Sequence, residues 1–129
     1  MIAEKYQKKG KEMPKHITKP SVVEAAGNKP KIIREFIGRV NSDTNEISIA
    51  QMKSPAGWLE PSQTPAFDEY TFVLSGYIEI NCKGRIYLVR ANEVFVAGKG
   101  ERVQYSTPEG AEYIAICLPA FSMDTVNRD

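Results

Sequence analysis

Histidine is almost absent from this chain, which has a single copy, His16, among its 129 residues. We expect His16 to lie in an N-terminal tail, so a Ser-His-Asp triad has no usable histidine. No P-loop is present, and no GxGxxG glycine fingerprint follows a predicted strand. These absences argue against a serine hydrolase, a P-loop nucleotide enzyme and a dinucleotide-binding enzyme.

Cysteine and long apolar runs are also scarce. The two cysteines, Cys82 and Cys117, lack CxxC spacing, so we expect buried reduced thiols. Cys117 lies in the run IAICL, which predicts a buried strand and an inert thiol. No apolar run approaches the roughly 20 residues that a membrane helix needs, and the N-terminus lacks the apolar core of a signal peptide. We therefore expect a cytoplasmic protein.

The formal net charge of +1 hides an asymmetry along the chain. Residues 1–39 carry ten Lys/Arg and four Asp/Glu, whereas residues 40–129 carry seven and twelve. A basic arm on an acidic body is compatible with contact to nucleic acid or a membrane surface. Apart from Tyr6, however, no aromatic residue or arginine interleaves the first lysines. We therefore expect a solvated tail, no membrane contact, and no nucleic-acid partner.

The chain divides into a lysine-rich arm, residues 1–30, and one domain, residues 31–129. Ser21 and Glu24 have capping-box spacing, which predicts one short helical turn in the arm. After Pro30 the sequence consists of short β-rich runs separated by turn residues, typical of an antiparallel sandwich or barrel. The eight predicted strands are 32–40, 46–53, 69–74, 77–82, 86–89, 93–96, 103–106 and 113–118. Among the turns between them, Ser75-Gly76 separates the third strand from the fourth, and Lys83-Gly84 predicts a tight hairpin, because glycine accepts the positive φ that such turns require.

Side-chain alternation predicts two faces for the strand that contains Glu69. If Glu69 points inward, so do Thr71 and Val73. The opposite face then carries Tyr70, Phe72 and Leu74. That face is too apolar to stay in water, so we expect it to be covered by the 32–37 segment, by a second sheet or by another subunit. A homodimer is the expected state.

The segment from Gln63 to Gly76, QTPAFDEYTFVLSG, has the spacing of a metal-binding motif. It resembles the first motif of the cupin family, which is His-x-His, three or four residues, Glu, six residues, Gly. Glu69 precedes Gly76 with the required six residues between them. The two histidine positions hold Gln63 and Pro65.

Residues 92–103, NEVFVAGKGERV, resemble the second cupin motif, which is Gly, five residues, Pro-x-Gly, two residues, His. Gly100 is retained. Asn92, Gly98 and Val103 stand in place of the first glycine, the proline and the histidine. The loss of metal ligands therefore involves both motifs.

Residues 55–76 and 105–129 together are similar to a group of small single-domain cupins related to the ethanolamine-utilisation EutQ barrels. The resemblance implies an all-β double-stranded β-helix, the cupin jelly-roll barrel, with an N-terminal arm that covers it or exchanges strands. It gives no reaction, because one fold hosts many functions.

Metal binding in this family uses three histidines and a glutamate, and only Glu69 remains here. One carboxylate and the amide of Gln63 are too weak a donor set for a transition metal, and we predict no cofactor. Glu60 leaves open an alternative site built from oxygen ligands.

The remaining polar groups predict a metal-free pocket. Glu69 and Tyr105 are the candidate catalytic pair, because a desolvated carboxyl group beside a tyrosine can act as a general acid or base. The candidate ligand-binding residues are Gln63 on the floor and Glu60, Trp58 and Arg102 at the mouth. Three alternatives stay open for them: Glu69 held in a satisfied network by Gln63 and Tyr105, Trp58 as a lid on the core, and Arg102 facing solvent.

We expect this cupin to bind a small polar organic molecule without a metal. The alternatives are a metal-free isomerase, lyase or cyclase that uses Glu69, and a structural or assembly module with a filled barrel. An empty polar cavity favours the first two, and a packed interior favours the third.

Overall fold

The computed structural model describes residues 13–129, and this part of the chain contains nine strands and no helix. The first twelve residues, with most of the lysines of the predicted basic tail, lie outside it. The strands are β1 (Ser21–Val23), β2 (Ile32–Ile37), β3 (Ser48–Ser54), β4 (Trp58–Leu59), β5 (Asp68–Cys82), β6 (Arg85–Arg90), β7 (Val94–Ala97), β8 (Val103–Thr107) and β9 (Ala111–Leu118).

All strand pairs are antiparallel, and the sheet order is β1-β2-β3-β9-β5-β8-β4, with β6 and β7 also pairing with β5. The first half of β5 pairs with β9 and β7, and its second half pairs with β6 and β8. The strands thus form two curled layers that share β5. The all-β architecture predicted from the sequence is confirmed.

The 15-residue strand β5 runs through the position where the sequence predicts a turn at Ser75-Gly76. The register with β9 shifts between Val73 and Ser75, so this position is a bulge within one strand. Gly76 has φ of +72°, and a Cβ there would lie 2.3 Å from the carbonyl oxygen of Gly110. Glycine is required because the two backbones approach closely at a conformation that favours it.

Two local predictions, for Ser21–Glu24 and for the turn at Lys83-Gly84, have opposite outcomes. The helical turn expected at Ser21–Glu24 is wrong: Ser21–Val23 is a strand paired with Ile33–Glu35. The capping-box spacing is overridden because an open edge of β2 offers this segment backbone hydrogen bonds. The tight hairpin at Lys83-Gly84 is confirmed, with φ of +54° and +73° at its two residues.

The core lies between the two layers. Its largest fully buried side chains include Trp58, Ile78 and Ile80, and a smaller cluster surrounds Phe67. Alternation on β5 is as predicted: Thr71 and Val73 are buried. Both cysteines are buried free thiols.

The outer face of the first layer is apolar and open within the described residues. Tyr70, Phe72, Leu74, Val94 and Val96 are 39–54% exposed. Neighbouring strands place Val94 opposite Phe72 and Val96 opposite Tyr70. The β2 segment does not cover this face, because it pairs edge to edge with β3 in the same layer.

Across residues 13–129, no helix has the length and apolar character needed to cross a bilayer.

Candidate functional site

One cavity lies between the layers and contains polar groups from both halves of the chain. Its volume is about 60 Å³. The polar and ionisable residues that line it are Lys31, Glu35, Ser48, Glu60, Gln63, Glu69, Thr71, Tyr105, Tyr113, Cys117 and Arg128. Val23 and Ala26 also line it, so the segment after the N-terminal tail forms part of its wall.

Lys31 is a cation of this cavity that the sequence did not predict. Its Nζ donates a hydrogen bond to the hydroxyl oxygen of Tyr113 at 3.0 Å. The same atom lies 4.0 Å from the centroid of the Trp58 ring, a cation–π contact. Tyr113 in turn lies 2.8 Å from Ser54 Oγ, to which its hydroxyl can donate. The lysine side chain is therefore held by two aromatic rings.

Desolvation shifts the protonation equilibria of the charged groups toward their neutral forms. Burial lowers the pKa of Lys31 from 10.5 to about 8, although the charges of Glu60 and Glu69 oppose the shift. Burial raises the pKa of Glu60 from 4.5 to about 7, with Lys31 opposing. The pKa of Glu69 is also raised by burial, again against the charge of Lys31. Lys31 and Glu60 therefore change their protonation state closer to neutral pH than an ordinary lysine or glutamate does.

Glu69 and Tyr105, the predicted catalytic pair, are in contact. The Tyr105 hydroxyl donates to Glu69 Oε1 at 3.3 Å. Burial, and next the charge of Glu69, raise the pKa of Tyr105 well above its usual value, so the phenol stays protonated. No hydrogen bond joins the Gln63 and Glu69 side chains, so only half of the satisfied network that we considered is present among the described hydrogen bonds.

Thr71 has an unsatisfied polar atom in the cavity wall. The residue is 1% exposed, and its Oγ1 has no hydrogen-bond partner. Arg128 Nε is likewise buried without a partner. Buried hydroxyl and guanidinium groups are normally hydrogen-bonded, so these two atoms are positions where a bound molecule would be stabilised.

Gln63 and Val103, which stand at the first and last metal-ligand positions of the two cupin motifs, are paired by an isolated backbone bridge. The Gln63 and Val103 backbones exchange two hydrogen bonds of 2.9 Å. Gln63 also lines the cavity, whereas Val103 belongs to the apolar core.

The residues present do not fit the metal that the family resemblance implies. Among residues 13–129, no three His, Cys, Asp or Glu side chains are placed to hold a metal ion. The Lys31 amine faces the same space as Glu60 and Glu69 and contributes a positive charge there. A donor set of two carboxylates beside an ammonium group disfavours a cation.

Two of the predicted mouth residues are not in the cavity lining. Trp58 is 1% exposed and lies in the core, where its Nε1 donates to the Ala26 carbonyl oxygen at 3.0 Å. It is the lid on the core that we considered as its alternative role. Arg102 faces solvent and forms an ion pair with Asp129. Gln63 and Glu60 do line the cavity, and Glu60 is buried.

Lys31 and Tyr113 could have been predicted from side-chain alternation, because every second residue of a strand faces the same side. Lys31, Ile33 and Glu35 alternate, and all three line the cavity. Tyr113 likewise alternates with Ala115 and Cys117 on β9. Arg128 could not be predicted in this way, because it lies outside the strands. An isolated backbone bridge to Gln63 places it beside the cavity.

Comparison with known proteins identifies relatives of this fold. The family model described as ethanolamine utilisation protein EutQ matches residues 30–123. The EutQ protein of Clostridium difficile superposes with a TM-score of 0.60 at 22% identity, covering 72% of this chain and 66% of that one. An RmlC-like cupin from Shewanella frigidimarina superposes with a TM-score of 0.68 at 14% identity, covering 83% of this chain and 93% of that one. The predicted cupin barrel is confirmed.

A curated relative is closer in sequence but much longer. The Myxococcus xanthus protein named endoribonuclease YbeY is 42% identical over 101 residues. The match covers 77% of this chain and 34% of that protein, so the chain spans about a third of its length.

Proposed function

Since the chain belongs to the family of the ethanolamine utilisation protein EutQ, we propose that its cupin barrel binds a small polar organic molecule without a metal. The observation that carries the proposal is one cavity with Lys31, Glu60 and Glu69 in its wall and an unsatisfied hydroxyl at Thr71. Such a mixture of positive, negative and neutral groups is able to orient a molecule with two different polar ends.

The volume of the cavity limits the size of the molecule. An apolar cavity of about 150 Å³ accommodates benzene, with six carbon atoms. A cavity of about 60 Å³ therefore suits a molecule of only a few non-hydrogen atoms. The same unfilled volume supports binding over a purely structural module, for which we expect a filled interior.

A second candidate function is metal-free acid–base catalysis. The specific observation in its favour is the contact between Tyr105 and Glu69, with raised pKa values at both groups. A carboxyl group that titrates nearer neutral pH exchanges protons with a substrate more readily than an ordinary glutamate. This candidate needs the same bound molecule as the first, followed by turnover.

A thermal-shift screen tests both candidates. The panel holds carboxylic acids, amines, diols and carbonyl compounds of two to six non-hydrogen atoms, applied to wild type, Glu69→Gln and Glu109→Gln. Glu109 is exposed and is not part of the cavity lining, so its variant is a matched control. We expect hits with wild type and the control, and about tenfold weaker binding with Glu69→Gln, because a hydrogen bond to a charged group is lost.

The outcomes separate the candidates. Equal profiles for all three proteins would remove Glu69 from the site. Consumption of a hit by wild type but not by folded Glu69→Gln would favour the enzyme, whereas a hit recovered unchanged would favour binding alone.

A further inference from the structure

The primary amine of Lys31 faces the cavity and forms no ion pair shorter than 4.0 Å with a carboxylate of the described residues. Within residues 13–129, the ion pairs shorter than 4.0 Å join other side chains. The polar contact of its Nζ is the neutral hydroxyl of Tyr113, and the Trp58 ring lies beneath it. The two aromatic residues hold the side chain in place. When the ammonium group loses a proton, the lone pair of the nitrogen stays available for reaction.

A neutral amine is a nucleophile, and the burial of Lys31 increases the fraction of its side chain in the neutral form. With a pKa of about 8, roughly a tenth of the Lys31 side chains carry the neutral amine at pH 7. An ordinary lysine with a pKa of 10.5 has less than about a thousandth. Desolvated lysines beside other ionisable groups are the ones that attack carbonyl carbons in proteins.

We propose that Lys31 captures a small aldehyde or ketone in the cavity as an imine. The inference rests on the proposed function, because it assigns the chemical class of the bound molecule. Thr71 Oγ1, buried and without a partner, offers a hydrogen bond to a second polar group on that molecule. A hydroxy- or oxo-substituted carbonyl compound is therefore the favoured ligand.

The chemistry balances with groups that the cavity contains. The lone pair of the neutral Lys31 Nζ forms the C–N bond, and the carbonyl oxygen takes a proton from the Glu60 carboxyl group. The nitrogen then loses its two protons, one of which restores Glu60. Glu60 also transfers the second proton from the nitrogen to the hydroxyl oxygen, and the C–O bond then breaks. The products are an imine and one water molecule, and neither oxidant nor reductant is required.

Glu60 is suited to this proton transfer. It is buried, it lines the same cavity, and its charge has a larger effect on the Lys31 pKa than the charge of Glu69 has. With its own pKa raised to about 7, Glu60 is available both as an acid and as a base near neutral pH.

Trapping with glycolaldehyde tests the proposal on the full-length protein. Glycolaldehyde has four non-hydrogen atoms and carries both a carbonyl and a hydroxyl group. Brief treatment at pH 7 with sodium cyanoborohydride reduces any imine to a 2-hydroxyethyl amine, which peptide mass mapping locates. We expect Lys31 to be labelled at least about tenfold faster than exposed Lys53 in the same sample, since burial favours the neutral amine of Lys31.

Two controls isolate the effect of the fold. In urea-unfolded protein, Lys31 and Lys53 should be labelled at equal rates, because the burial that distinguishes them is lost. Glu60→Gln should slow the labelling of Lys31 and leave that of Lys53 unchanged. Labelling of Lys31 in the folded protein no faster than that of Lys53 would overturn the imine.

The result also distinguishes this inference from the function on which it rests. If Lys31 stays unlabelled while ligands from the thermal-shift panel still require Glu69, the imine is wrong and binding stands. If Lys31 stays unlabelled and no panel molecule raises the melting temperature, both are wrong. Fast labelling of Lys31 supports both.

Discussion

A lysine and two glutamates share one desolvated cavity in this protein. The lysine and the glutamates lower the penalty that burial imposes on each other's charges, whereas the charge of Glu69 adds to the penalty on Glu60. Glu60 and Glu69 raise the pKa of Lys31, and Lys31 lowers theirs. Burial still dominates for all three. The folded state therefore differs from the unfolded chain in its affinity for protons at Lys31 and Glu60, and stability depends on pH.

For Glu60 we predict that stability falls as pH rises. Its pKa is about 7 in the folded state and 4.5 in the unfolded chain, so the folded state holds an extra proton between these values. The free energy of unfolding of wild type, relative to Glu60→Gln, should fall by on the order of 3 kcal/mol from pH 4.5 to pH 7. Urea unfolding at a series of pH values measures this difference.

Lys31 contributes the opposite slope at higher pH. Its pKa is lowered to about 8, so the unfolded chain holds the extra proton between pH 8 and 10.5, and stability recovers as pH rises. The two groups together place a minimum of stability between pH 7 and 8. Parallel pH profiles for wild type and Glu60→Gln would contradict the coupling between fold and protonation.

At the level of residues, the sequence predicts the part of the site that belongs to a motif. Glu69 is found from its spacing to Gly76, and Gln63 and Tyr105 from their positions relative to the two motifs. Lys31 is missed because a lysine after Pro30 belongs equally well to a solvated arm. Its burial depends on Trp58 and Tyr113, which come from distant strands.

The long strand β5 joins the two layers of the fold, and its bulge near Gly76 allows it to change partners. The sequence predicts the two halves of β5 as separate strands because Ser75-Gly76 has the composition of a turn. Most other strand positions follow from β-rich runs between turn residues. The bulge cannot be read locally, since it depends on the approach of Gly110 from another part of the chain.

We predict that Gly76→Ala is strongly destabilising. The new Cβ would lie 2.3 Å from the Gly110 carbonyl oxygen, at φ of +72°. Gly100→Ala is the matched control, because its φ is +79° but nothing lies within 4 Å of the added atom. We expect a loss of about 1 kcal/mol for the control and about 3 kcal/mol for Gly76→Ala, measured by urea unfolding.

The test is the difference between the losses in free energy of unfolding of Gly76→Ala and Gly100→Ala. An equal loss for both would mean that β5 and the Gly110 turn separate without penalty, and that the bulge does not depend on their close approach.

At the scale of the whole molecule, the outer face of the first layer is apolar and is left uncovered by residues 13–129. Tyr70, Phe72, Val94 and Val96 form two cross-strand rows on it. The sequence predicts this face from alternation alone, together with the need for a cover. The residue pattern does not specify what covers this face.

We predict a homodimer formed through this face. Phe72→Glu should shift the protein to the mass of a monomer in sedimentation at tens of micromolar, because a charge is placed in the middle of an apolar contact. Ile86→Glu is the control, since Ile86 is an exposed apolar residue of the other layer, 57% accessible. A monomeric wild type would contradict the prediction.

The position of Lys31 has a consequence for how the cavity is supplied with positive charge. In the cupins that the motifs resemble, a metal ion must be acquired from the surroundings and is open to chelation and to replacement by competing ions. Here the cation is part of the polypeptide and is synthesised with it. Chelators and metal starvation leave such a site intact. Its charge is instead removed by deprotonation, so a rise in pH, rather than a loss of metal, is what changes the charge of this cavity.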